Sequence, residues 1–325
     1  MDRRVFFYWL LSGVACAPFN ATAQIAATVR RIGFLTIGTP FTREEVEEII
    51  APLRQRGWIE GKNLVFEQRY ATKTELLRSL AEEFVQLKVD LIITEGTRAA
   101  IAAKNATKSI PIVMRAAGDP VLAGLVASLA RPGGNVTGYS LANPEQAAKR
   151  LALLRELVPG IQRVGELENA SNPYYASTRQ HLREAYQSLA MEPLFVRVEQ
   201  AARLEDAVAQ VAQQRGQALY VPNDDLFDEN ALVIMRAALR YRLPTMVTGP
   251  EALEAGGLLS HSINFADRDF RVAAIVDKIL RGANPADIPV EQPTRFELGI
   301  NLKTAKVLGI TVPQSLILRA DKVIR

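Results

Sequence analysis

From Arg30 onward, short apolar runs alternate with amphipathic stretches. Ile32-Gly33-Phe34-Leu35-Thr36 reads as a strand. Thr42-Arg43-Glu44-Glu45 is a capping box, and Val46, Ile49, Ile50 and Leu53 mark one helical face as far as Gly57, with Pro52 expected to bend or shorten the helix. Leu64-Val65-Phe66 predicts a second strand and Leu76, Leu80, Phe84 and Leu87 a second helix. A strand over Val89–Thr94, an Ala-rich helix over Thr97–Ala106 and a strand over Ile110–Met114 follow. Asp119 reads as a helix N-cap with Pro120 at the first position. Leu122, Leu125, Val126 and Leu129 then recur at helical spacing up to Pro132-Gly133-Gly134. Val136-Thr137-Gly138-Tyr139 predicts the fifth strand.

The pattern then restarts. Caps at Asn143-Pro144 and Asn172-Pro173 open helices that run to Leu157 and about Leu189. Strands are expected at Val164–Glu168, Phe195–Val198, Ala218–Val221 and Thr245–Val247. Helices are expected on Leu204, Val208 and Val211 and over Asp228–Tyr241. Two such series in tandem predict an α/β protein of two doubly wound, Rossmann-like lobes, each a parallel sheet with helices on both faces. The C-terminal strand at Leu258-Leu259-Ser260, helix over Asp267–Leu280 and strand over Phe296–Asn301 are too few for a third domain. They are expected to complete the two sheets, with several crossings forming a multi-strand hinge. The first lobe would comprise residues 28–138 plus about 262–288, and the second 139–261 plus about 289–325.

Ahead of this pattern, Arg3-Arg4 precede an apolar stretch from Val5 to Ala17, and Ala21-Thr22-Ala23 matches a small-residue cleavage site. Residues 1–23 therefore read as a signal peptide cleaved after Ala23, placing the protein in the periplasm. The paired arginines fit twin-arginine export as well as general secretion. The single cysteine, Cys16, lies inside this leader at a poor lipoprotein site, so disulfide, thiolate and thiolate-metal chemistry drop out of the mature chain. The formal charge of +4 over 325 residues, with no basic block, gives no basis for nucleic-acid binding.

In open parallel sheets, ligands sit beyond the carboxyl ends of the strands. Thr36, Glu95, Thr97, Arg115, Ala116, Gly118 and Asp119 stand there in the first half. Asn169, Asn172, Asn223, Asp224 and Thr248 stand there in the second. Thr97, Asp119 and Asn172 are first of all helix caps, a role compatible with sharing a helix N-terminus with a carboxylate. Arg115 is positioned either for a ligand carboxylate or for an internal pair with Asp119. Glu95 would take a ligand ammonium or be solvated. Tyr139, Tyr174 and Tyr220 would stack on a ring or edge the core. The run Glu44-Glu45-Val46-Glu47-Glu48 suits a helix N-terminus more than a docking surface. His181 and His261 have no second histidine at metal spacing, and no nucleophile elbow or phosphate loop is present. The expectation is a binding protein, not an enzyme, with neither metal nor cofactor.

Several longer segments carry a resemblance. They are Glu60-Gly61-Lys62-Asn63-Leu64, Ala99–Thr107 before Ile110-Pro111-Ile112-Val113, and Gly118-Asp119-Pro120-Val121 through Arg131-Pro132-Gly133-Gly134-Asn135-Val136-Thr137-Gly138. Asp277–Gly282 with Pro285, and Phe296–Gly309, extend it. On these the chain resembles periplasmic substrate-binding proteins of ABC importers, in the family that includes tryptophan-binding members. The resemblance implies the type I periplasmic-binding fold, a small-molecule ligand held in the interdomain cleft, closure around it, and delivery to ABC permease membrane subunits by a monomer. It implies ligand contact at Thr97 and the Ala116–Asp119 turn from one lobe, and at Asn172 with Asn223-Asp224 from the other. Met114-Arg115, Glu95 and the acidic strand Gly165-Glu166-Leu167-Glu168 depart from the smaller or apolar residues expected. They favour a carboxylate-bearing ligand other than tryptophan, an amino acid or an aromatic or organic acid. A periplasmic sensor subunit for a membrane receptor and a secreted α/β enzyme are the alternative readings.

Overall fold

The computed structural model describes residues 29–141 and 144–325, without the side chains of residues 144, 145, 173, 174, 176 and 177. The leader expected over 1–23, the Asn143 cap and the Tyr174 ring lie outside this description. The first lobe contains β1 (Arg30–Ile37), α1 (Arg43–Arg54), β2 (Leu64–Ala71), α2 (Leu77–Gln86), β3 (Leu91–Glu95), α3 (Thr97–Ala106), β4 (Ile112–Ala117) and β5 (Val136–Ser140). Its strands lie in the order β2-β1-β3-β4-β5, all parallel. Residues of successive strands alternate between two cores. Ile32, Phe34, Ile93 and Val113 face one, and Leu35, Ile92, Ile112 and Met114 face the other. Burial on both faces explains why these strands read as continuous apolar runs.

The second lobe follows with α4 (Pro144–Leu157), β6 (Arg163–Asn169), α5 (Pro173–Ser188), β7 (Glu192–Val198), α6 (Leu204–Gln213), β8 (Ala218–Val221), α7 (Asp225–Glu229), α8 (Ala231–Arg240), β9 (Thr245–Val247), α9 (Pro250–Glu254) and β10 (Leu259–Ile263). The chain returns to the first lobe with α10 (Phe265–Leu280). It then adds β11 (Phe296–Asn301), α11 (Leu302–Leu308), α12 (Gln314–Arg319) and β12 (Lys322–Ile324) to the second. The second sheet runs β12-β11-β10-β9-β8-β6-β7, with β10 and β11 antiparallel and the other neighbours parallel.

Local chemistry accounts for the element ends. Thr42 and Glu45 form the reciprocal capping box at the start of α1, and the helix ends two residues after Pro52. Asn264 caps α10 through the Asp267 N–H, and Asn301 caps α11 through that of Thr304. The helix expected from Asp119 to Leu129 is absent. Asp119 does cap, accepting from the Val121 and Leu122 N–H groups. The turn then ends at Gly124, whose φ of +66° leaves the helical region. Leu125 and Val126 are instead drawn into the first-lobe core. The single helix expected over Asp228–Tyr241 is two, α7 and α8, parted at Asn230.

The chain passes between the lobes after β5, after β10 and before β11. The segment leading to β11 runs along β5, with Glu291 N–H donating to Gly138 O and Ser140 N–H to Glu291 O. β5 therefore continues in the first sheet to Ser140, past the boundary expected after residue 138. Tyr139 on it is buried among first-lobe side chains. Gly138 is required here: its φ is +134°, and a Cβ would stand 2.3 Å from Met114 O.

The acidic stretch of β6 has a structural explanation. Glu168 pairs with Arg179, and Glu166 is fully buried with Tyr186 donating to its Oε2 at 2.8 Å. Burial pushes the Glu166 carboxyl up from 4.5 to about 8, against the Tyr186 hydrogen bond. A carboxyl whose pKa rises on folding binds its proton more tightly in the native state, so stability falls as pH climbs from 4.5 through about 8. Glu166→Gln keeps an acceptor for Tyr186 and removes the charge. It should melt close to wild type at pH 5 and be more stable at pH 9 by on the order of a few kcal/mol. A melting difference that is the same at both pH values would contradict this assignment.

Candidate functional site

The strand order of the first sheet reverses between β1 and β3, and that of the second between β6 and β8. The carboxyl ends beside these switch points face each other across a cavity of about 110 Å³. That is room for several waters or a small ligand. The first lobe contributes Glu95, Gly96, Thr97 and Arg98 from the β3–α3 junction, Ala116 and Ala117 from β4, and Gly118 just after it. Gly96 N–H donates to Ala116 O, Gly118 N–H donates to Thr97 Oγ1 at 2.9 Å, and Ser140 Oγ donates to Gly118 O. These bonds lock the ends of β3, β4 and β5 side by side.

From the second lobe come Asn172, Tyr220, Asn223, Asp224, Asp225 and Thr248. Asp224 caps α7 through the Leu226 N–H and receives Asn169 Nδ2 at 2.7 Å and Asn172 Nδ2 at 2.8 Å. Leu141, Ile263, Phe265 and Phe296 line the cavity from the crossings, and Gln146 and Arg150 from α4. Gln146 and Arg150 are four residues apart and share one helix face.

Of the residues expected at the site, Glu95, Thr97, Ala116, Gly118, Asn172, Asn223, Asp224 and Thr248 line the cavity, and Thr36, Arg115, Asp119, Tyr139 and Asn169 do not. Thr36 is buried at the end of β1, where its hydroxyl approaches Ile37 O. Asp119 caps its own turn, Tyr139 belongs to the core, and Asn169 acts through Asp224. Arg115 is 4% exposed and bonds with both nitrogens of its fork to Asp269 on α10, at 2.8 and 3.1 Å, and also to Glu95. Arg268 adds a second fork to Asp269 at 3.0 and 3.2 Å. Burial pulls the Arg115 pKa down, but the Glu95 and Asp269 carboxylates outweigh it and hold it above the ordinary value. Arg115 is therefore an internal ion pair, with Glu95 and Asp269 and not with Asp119.

Arg98 and Arg150 were not singled out from the sequence, and they carry the remaining positive charge of the cavity. Arg98 donates to Asp225 at 3.1 Å, to Ser171 at 3.1 Å and to Thr74 at 3.2 Å, and so joins the lobes. Burial, with Asp224 beside it, pushes the Asp225 carboxyl up to about 7 against the pull of Arg98. Arg150 donates Nε to His261 O at 2.9 Å and Nη1 to Tyr220 Oη at 3.3 Å. Among the described residues no carboxylate lies within 4.0 Å of its guanidinium. His261 stacks on Phe296 at 5.3 Å and 8°, and burial, then Arg150 and Lys149, lower its imidazole to about 4. It is a neutral wall behind the site, while His181 is exposed. The signal that identifies Arg150 is its spacing from Gln146. Phe265 and Phe296 are marked by their place at the crossings.

Residues 35–324 match the family of ABC transporter substrate binding proteins. The chain is 30% identical over 262 residues to a tyrosine-binding protein of Clostridioides difficile (strain R20291), covering 80% of this chain and 75% of that one. Its fold matches an ABC domain in complex with L-Trp from Streptococcus pneumonia with a TM-score of 0.85 at 25% identity, over 91% of this chain and all of that one. The ligand-free, open structure of a substrate binding protein with adhesive properties from Clostridium difficile matches with a TM-score of 0.68 at 26% identity, over 91% and 99% of the chains.

Removing the Arg115 cation would leave Glu95 facing the cavity and Asp269 underneath with one partner fewer. Arg115→Met should lower folding stability by about 3–5 kcal/mol, the usual effect of breaking a buried pair. Denaturant unfolding measures it, and a loss below about 1 kcal/mol would show that the cluster is not holding α10 to the sheet.

Proposed function

The chain belongs to the ABC transporter substrate-binding protein family and has the type I periplasmic-binding fold, and we propose that it captures a small amino acid-type ligand in its interlobe cleft. The observation that carries this reading is Arg150, a cavity-lining cation without a carboxylate partner among the described residues. Within the cavity wall, Glu95 is neutralised by Arg115, and Asp225 by Arg98. One cation, Arg150, and one anion, Asp224, remain. That pair complements a zwitterion, whose carboxylate suits the Arg150 fork and whose ammonium suits Asp224. Gln146 Oε1, buried without a hydrogen-bond partner among the described residues, offers an acceptor beside it. The apolar wall of Leu141, Ile263, Phe265 and Phe296 suits an apolar or aromatic side chain.

The tyrosine-binding relative and the L-Trp complex support an aromatic amino acid as the first ligand to test. In this reading the chain is exported to the periplasm by its leader, closes around the ligand and delivers it to an ABC permease. Lobe closure selected by the ligand links capture to delivery.

A thermal-shift screen of amino acids and aromatic acids tests the class, since a ligand at 100 times its Kd adds about 2.7 kcal/mol to the folded state. L-tyrosine or another apolar amino acid should raise the melting temperature, and Arg150→Ala should weaken its binding at least tenfold. Asp224→Asn should weaken L-tyrosine but leave 3-(4-hydroxyphenyl)propionate, which lacks the ammonium, unchanged. Equal loss for both compounds would remove Asp224 from the ammonium site. No shift with any amino acid at millimolar concentration would reject the ligand class.

A further inference from the structure

Two carboxylates on α7, Asp225 and Glu229, are four residues apart and project from the same face of the helix. Both reach the first lobe. Asp225 accepts from Arg98 at the start of α3, and Glu229 Oε1 accepts the Thr39 N–H at 3.0 Å. The Gly38–Thr39 turn that receives Glu229 is held from behind, because Gly38 N–H donates to Ala71 O at the end of β2. Gly38 has a φ of +111°, and a Cβ there would stand 1.8 Å from Glu229 Oε1. The carboxylate thus occupies the space that the missing side chain leaves. Glu229 does not line the ligand cavity.

We propose that this face of α7 latches the closed cleft, and that Glu229 governs ligand retention through the Gly38–Thr39 backbone without touching the ligand. The two contacts join groups from opposite lobes that share no sheet, so they exist only when the lobes are shut. Asp225 borders the cavity and Glu229 lies outside its lining, so the second contact holds the lobes together without contributing to the ligand site. A contact formed only in the closed state slows opening and changes dissociation more than association. The effect on retention rests on the capture reading above, whereas the latch itself does not.

The test uses the full chain with Cys16→Ser and spin labels on Glu44→Cys and Leu232→Cys, exposed positions on either side of the latch. Without added solute, Glu229→Ala should shift the interlabel distances toward longer values relative to the parent. With L-tyrosine as the probe, release from Glu229→Ala should be about three- to tenfold faster and association nearly unchanged, as for one charge-assisted hydrogen bond. Gly38→Ala should open the cleft as well, and its effect should shrink in the Glu229→Ala background because the two changes act on one contact. If the positive φ keeps Gly38→Ala from folding, Glu229→Ala and Glu229→Gln decide the matter. Parental distances in both Glu229 variants would overturn the latch. Longer distances in a protein that does not bind L-tyrosine would leave the latch standing and count against the ligand class.

Discussion

A parallel sheet gathers the carboxyl ends of its strands along one edge, and both sheets here turn that edge toward the same gap. Much else follows from this constraint. The starts of α3 and α7 must point into the gap, because each follows a strand that ends there. Helix starts expose backbone N–H groups, so the residues beside them are selected for capping as well as for contact. Asp224 shows the overlap, capping α7 through the Leu226 N–H and still lying on the cavity wall. Thr97, expected as a cap, is instead the first residue of α3 after Gly96, and its hydroxyl accepts the Gly118 N–H across to the end of β4.

Charge selects among the groups that the topology brings together. A cleft in which each charge is matched internally offers little to a charged ligand, whereas one with many unmatched charges would be difficult to keep folded. The wall lies between these limits. The Arg115–Glu95–Asp269–Arg268 cluster closes on itself and fastens α10, which lies between two crossings, to the first-lobe sheet. The Arg98–Asp225 pair closes across the lobes. The charges left for recognition in the proposed reading are Arg150 and Asp224, and both are held in place by neighbours that are not themselves ionised at neutral pH. Tyr220 and the His261 carbonyl hold Arg150, while Asn169 and Asn172 hold Asp224. Neutral supports orient a charge without cancelling it.

The alternating apolar runs made the architecture legible in the sequence, because strands buried on both faces leave a continuous signal in residues such as Leu91, Ile92 and Ile93. The short late elements, α9, α12 and β12, were not legible, since three to six residues carry no period. The stretch after Asp119 misled for a related reason. Its apolar spacing was helical, but Gly124 and the pull of the core on Leu125 and Val126 decided the conformation. At the site, position along a strand was legible and direction was not. Arg115 ends a strand at the expected edge, yet its side chain turns toward α10, an element about 150 residues further on whose carboxylate could not be assigned to it from sequence. Arg150 was overlooked for the converse reason: a lysine–arginine pair on a helix looks solvated until α4 is placed beside the crossings.

In the same reading Arg150 would also connect recognition to movement. Its Nε bond ends on the carbonyl of His261, in β10, the strand that leads into one crossing. The His261 ring in turn stacks on Phe296, where another crossing enters β11. A ligand carboxylate drawn to this guanidinium would therefore act on a group already bonded to the hinge, at the closed end of the cleft. The contacts of α7 with Arg98 and Thr39 lie between the lobes with no crossing strand among them. In the proposed reading, recognition at the hinge and retention at the α7 contacts would be carried by different residues. Affinity can then be divided between them, with the hinge-side charge setting which ligands enter and the interlobe bonds setting how long they stay.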